Sequence, residues 1–101
     1  MEKKKKDPGI HPGRYIRWAL GQMCSIIDAS LSRQDIIRSL TTTMRTWAQR
    51  NWPNKIVRAA IRWAVKKRLA GAETQWITLF NKSWYKARVW HNNKLQQRHV
   101  H

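Results

Sequence analysis

Apolar side chains recur three or four residues apart in four stretches of the chain, the spacing that lines one face of a helix. In the first, predicted over residues 14–29, Tyr15, Ile16, Ala19, Leu20, Met23, Ile26 and Ile27 share a face. The segment Asp28-Ala29-Ser30-Leu31-Ser32 breaks the pattern. Ser32 suits an N-cap, because its hydroxyl can accept a backbone N–H, and Asp35 suits the first turn that follows. The second helix is predicted over residues 33–50. Its inner side holds Ile36, Ile37, Leu40, Met44 and Trp47; its outer side holds Arg38 and Arg45 with Gln34, Thr41, Thr42 and Gln49. The run Thr41-Thr42-Thr43 weakens it, since β-branched residues lose side-chain freedom in a helix.

Asn51-Trp52-Pro53-Asn54 is the clearest stop in the chain. Proline disfavours helical geometry in the residue before it and suits a first helical turn itself. Trp52 is expected to fold over this loop. The third helix runs to about residue 70, with Lys66, Lys67 and Arg68 in its last turn and Gly71 as its cap. The fourth begins at residues 72–74 and is expected to end at Asn92-Asn93, with Trp76, Ile77, Phe80, Trp84 and Ala87 inside. Four helices with short connections predict an all-α fold, a compact bundle of about four helices. The tetrad Ile-Arg-Trp-Ala occurs at Ile16 and again at Ile61, too little to establish a repeat.

Outside residues 14–92 the pattern fails. Residues 1–13 carry Lys3, Lys4, Lys5 and Lys6 and two Pro-Gly pairs, and are expected to form a flexible basic arm. Such a run suits a nuclear localisation signal or a phosphate-binding arm. Residues 93–101 read as a polar, basic tail that frays.

Charge changes this picture. The 101 residues include 21 Lys+Arg and 5 Asp+Glu, a formal net charge of +16. Solubility needs far less, and a compact body so charged repels itself unless anions screen it. With 42% hydrophobic residues and seven tryptophans, the chain is not a disordered basic tail either. A polyanion is therefore expected as its partner.

The third helix carries the sharpest signal. Ile56, Val57, Ala60, Ile61 and Ala64 form its apolar face, and Lys55, Arg58, Arg62 and Lys66 a row on the opposite face. Like charges so spaced repel one another, so helix stability does not explain them. No acid lies between Asp35 and Glu73. The row extends about 16 Å at 1.5 Å per residue, enough to follow several phosphates. Trp63 borders it. Lys82 and Lys86, with Tyr85, hold a comparable outer position on the fourth helix, flanked by Arg88 and Trp90. Cations for phosphates and rings for unpaired bases together suit nucleic acid. Trp47, Trp76 and Trp84 are expected in the core, whereas Trp18, Trp63 and Trp90 are open to either packing or a ligand.

The second helix, its Trp-Pro turn and the third helix also form a helix–turn–helix-like pair. Only Asn54 and Lys55 are placed as base readers, and the exposed face is almost purely cationic, which favours backbone contact over sequence reading. The expected nucleic-acid-binding residues are Lys55, Arg58, Arg62, Lys66, Trp63, Lys82, Lys86, Arg38 and Arg45, with Lys3, Lys4, Lys5 and Lys6 accessory. RNA is favoured over DNA. Two other readings remain open: a peripheral matrix-like protein on anionic membrane surfaces, and a basic adaptor for an acidic protein. A homodimer is open as well. In composition alone, the chain resembles short viral accessory and matrix-type proteins.

No enzyme is expected, and no cofactor, metal or small-molecule substrate. The five acids form no close pair. The single Cys24 allows no internal disulfide and reads as a core residue. His99-Val100-His101 has no fixed geometry for a metal, and His91 stands apart from it. The sequon Asn81-Lys82-Ser83 falls mid-helix. The start lacks an apolar signal core, Glu2 stands where myristoylation needs glycine, and no run is long enough to span a membrane. An intracellular protein, nuclear or cytoplasmic, is the expectation.

Overall fold

In the computed structural model of the chain, the backbone is described for residues 12–26 and 32–99, and the side chains for residues 12–23 and 32–97. The expected arm with Lys3, Lys4, Lys5 and Lys6, the break at residues 28–31, the Cys24 side chain and the Val100-His101 end lie outside these residues. Four helices form the fold: α1 (Pro12–Ile26), α2 (Arg33–Gln49), α3 (Asn54–Arg68) and α4 (Glu73–His99). The all-α expectation holds.

The termini show why each helix starts and stops. α1 begins two residues earlier than its apolar pattern. Pro12 does not break it, because a first-turn residue has no use for the missing N–H. Ser32 caps α2 as expected, its Oγ accepting from the Asp35 N–H at 3.1 Å. The threonine run stays helical because Thr41, Thr42 and Thr43 each donate to the carbonyl four residues back, at 2.6, 3.0 and 3.3 Å. At the other end, Asn51 takes a left-handed φ of 61°. Its N–H donates to the Ala48 carbonyl at 2.9 Å and the Trp52 N–H to the Trp47 carbonyl at 3.3 Å, a Schellman closure. Pro53 then stands just before α3, its carbonyl accepting from the Ile56 and Val57 N–H groups. α3 ends at Arg68, and Gly71 supplies the left-handed turn, at φ 98°, that leads into α4.

α4 overruns its expected end by seven residues. Asn92 and Asn93 are only mild helix breakers, and Lys94, Leu95, Gln96, Gln97 and Arg98 beyond them are all good formers. Lys94 also reaches back one turn to lie 4.9 Å from the Trp90 ring.

α4 packs on α2 and on α3, and α3 packs on α1. α2 and α3 are not among the packed pairs, so the two helices flanking the Trp-Pro turn do not form a helix–turn–helix unit. Gly13 faces Ile56, Arg17 reaches Trp63 and Gly21 lies under the Arg68 guanidinium. These contacts advance together along both chains, so α1 and α3 run in the same direction and α2 carries the chain back between them. The result is a plate measuring 47 × 44 × 22 Å.

The core joins Ile16, Leu20, Leu40, Met44, Trp47, Val57, Ile61, Val65, Phe80 and Trp84. Trp47 and Trp84 meet at 6.4 Å, and Trp76, partly buried, rests on Phe80. Val65, Leu79 and Ser83 are buried beyond expectation, while Ile56 is partly exposed and Ile37 is half-buried. Ser83 lets α4 approach α2: its Oγ donates to the Leu79 carbonyl at 3.0 Å and lies 3.4 Å from the Ile37 carbonyl.

Candidate nucleic-acid interface

Four of the 21 basic residues are Lys3, Lys4, Lys5 and Lys6; the other seventeen lie in the helices or their caps. Only Asp35 and Glu73 oppose them among the described residues, and both sit in first turns, facing helix N-termini. Asp35 pairs with Arg38 at 3.2 Å, the single ion pair among the described residues. Rings take over the role of carboxylates. Trp63 holds Arg17 at 4.9 Å and Lys67 at 5.6 Å; Trp90 holds Arg45 at 4.6 Å and Lys94 at 4.9 Å. Arg50 lies over both Tyr15 and Trp52, whose rings meet edge-on at 5.5 Å. Each such contact contributes about 0.5–1 kcal/mol at exposed sites. Trp52 thus folds over the loop as expected, with a cation clamped on it.

The expected site residues fall into two groups. Lys55, Arg58, Arg62 and Lys66 are all exposed along α3, opposite the buried Val57, Ala60, Ile61, Ala64 and Val65. Trp63 is 47% exposed at their border, though two cations already cover its ring. This row matches the sequence reading.

Arg38, Arg45, Lys82 and Lys86 belong elsewhere. They line a groove of about 900 Å³ between α2 and α4, together with Arg33, Tyr85, Val89 and Trp90. The sequence reading placed Arg45 and Thr41 on a solvated side of α2. Here Thr41 is buried and Arg45 is half-buried, its Nε–H without an acceptor, because α4 covers that flank. Arg33 was not singled out in the sequence; Tyr85 and Trp90 were read beside Lys82 and Lys86 on the fourth helix but not placed among the expected binding residues. Their signal was present on α4, where Lys82, Tyr85, Lys86, Val89, Trp90 and Asn93 make one stripe at helical spacing.

Asn54 is exposed, but its amide oxygen is not open to a base. Its Oδ1 accepts from Trp84 Nε1 and from Arg88 Nη1, each at 2.7 Å. The amide ties the start of α3 to α4. Trp18 is half exposed, its ring 5.6 Å from Tyr15. Asn81 lies half-buried in α4 with Oδ1 buried, and Ser83 of the same sequon is fully buried. Among the described residues no three His, Cys, Asp or Glu side chains cluster to hold a metal, and no helix is long and apolar enough to cross a membrane.

No protein family, curated protein or solved structure matches the chain.

Proposed function

We propose that the protein binds nucleic acid, RNA in preference to DNA, through backbone phosphates and without reading sequence. The observation that carries this is the exposed row Lys55, Arg58, Arg62 and Lys66, which has no acid on its own helix and is backed by a buried apolar face. Four mutually repelling cations held on a rigid helix suit a ligand with regularly spaced anions, and neutralising them releases the counterions condensed on that ligand. With the Asn54 Oδ1 engaged by Trp84 and Arg88, the row presents only lysine and arginine side chains, which suits phosphate contact over sequence reading. Phosphates and ribose hydroxyls of an RNA helix, displayed across its shallow minor groove, are matched by such a surface. On this reading the protein is a binding module rather than an enzyme, and the basic arm adds affinity without specificity.

A gel shift with RNA tests it. Arg58→Glu combined with Arg62→Glu is expected to weaken binding by at least about 100-fold, since each reversal removes one phosphate contact and adds repulsion, with helical circular dichroism intact. Unchanged affinity would remove the row from the interface. Purification with and without nuclease, read by the 260/280 nm ratio, gives an independent check. A second reading, docking on anionic membranes, draws on Trp18 and Trp63, both about half exposed on the packed pair α1 and α3. Co-sedimentation with anionic liposomes at the same salt separates the two.

A further inference from the structure

We infer that the groove between α2 and α4 is a separate site for single-stranded RNA, in which Tyr85 stacks on an unpaired base while the surrounding cations hold its flanking phosphates. The inference rests on the nucleic-acid reading above and assigns a distinct substrate to a distinct surface.

Tyr85 carries the argument. Of the ten aromatic residues, nine have a ring or a cation against them. Tyr85 alone has neither, and at 69% exposure it is the most open large apolar side chain among the described residues. An uncovered ring in a molecule that otherwise covers its rings is left for a partner. Its immediate neighbours decide which. Lys82 and Lys86 flank it on α4, and Arg33 and Arg38 line the facing wall on α2. Arg45 closes the floor with its guanidinium over Trp90 and a buried Nε–H that has no acceptor. Asp35, the one acid beside this wall, is already paired with Arg38.

A flat ring ringed by cations is the arrangement that binds unpaired nucleotides: the π-face takes the base, and the charges take the phosphates on either side. An acidic peptide would use the cations and leave the ring idle. A duplex keeps its bases stacked internally and would offer Tyr85 no face. Gln34 and Asn93 also line the groove, with amides free of other hydrogen bonds, and can bond ribose hydroxyls, which favours RNA over DNA.

The test uses the full chain and fluorescence anisotropy, with two probes of equal phosphate number: oligouridine and an RNA duplex. Tyr85→Ala is expected to weaken oligouridine binding by roughly 5- to 150-fold and to leave duplex binding near wild type. Tyr85→Phe should retain oligouridine affinity, because it keeps the ring. Equal loss on both probes, or no loss on oligouridine, would overturn the groove assignment while leaving the α3 row intact. Polyglutamate displacing oligouridine as well as oligouridine itself does would overturn it too, since charge alone would then suffice. Equal affinity for oligodeoxythymidine would overturn the preference for ribose. A wild-type chain that binds neither probe would overturn the nucleic-acid reading itself, a result distinct from an indifferent Tyr85.

Discussion

The α3 row and the α2–α4 groove draw on the same residue types and differ in everything else. Along α3 the cations stand on one helix, all exposed, with their spacing set by the helical repeat alone. In the groove they come from two helices, and tertiary packing sets their separation. The first surface is convex and nearly ring-free at its centre. The second is concave and mixes cations with Tyr85, Val89 and Trp90. Shared residue types therefore do not mean shared chemistry. Under the proposed function, a row of solvated charges would read the ligand's charge density, whereas a walled groove with a free ring would also read whether the ligand's bases are paired.

Both surfaces depend on Trp84, the buried residue that touches Trp47 of α2 and Asn54 of α3. Trp84→Ala is expected to cost about 3–5 kcal/mol, enough to abolish both surfaces in a domain this small. Urea unfolding measures it, and a loss below about 1 kcal/mol would mean that the junction is not packed as described. Charge neutralisation separates the regions instead. Arg58→Gln with Arg62→Gln should flatten the salt dependence of duplex DNA binding by about 1.8 units of log K per log salt, whereas Lys82→Gln with Lys86→Gln should flatten that of a single strand by about 1.4. Identical changes on both ligands would merge the two surfaces into one. The smallest effect belongs to Ser32→Ala, which removes the α2 cap and should cost about 1 kcal/mol of stability. It is expected to loosen the Arg33 end of the groove and leave binding along α3 unaltered, as hydrogen exchange at the start of α2 would report.

The two regions also differ in how far they were legible in the sequence. The row was readable residue by residue, because Lys55, Arg58, Arg62 and Lys66 share one helix and helical periodicity is a local property. So were the four helices, the Ser32 cap and the Trp47 and Trp84 core. The groove was not. Each wall is a visible stripe, but that they face one another depends on α2 packing against α4, a pairing no local pattern encodes. The same cause explains Arg45 and Thr41, exposed by the wheel of α2 alone and covered once α4 is present. Asn54 failed for a related reason: an asparagine opening a basic helix fits a recognition residue until its two hydrogen-bond donors arrive from α4. Asn92-Asn93 misled in the other direction, a weak local preference outweighed by its neighbours.

The shared direction of α1 and α3 gives the molecule an electrical polarity. Their positive dipole ends lie side by side near Gly13 and Ile56, and neither first turn holds an acid to offset them. At the opposite end of α3, Lys66, Lys67 and Arg68 sit on the negative pole, which partly quiets them. The two ends of the ridge are thus not equivalent. Under the proposed function, a polyanion drifting in would gain most by touching down at Lys55, where side-chain and backbone fields add, before lying along the rest.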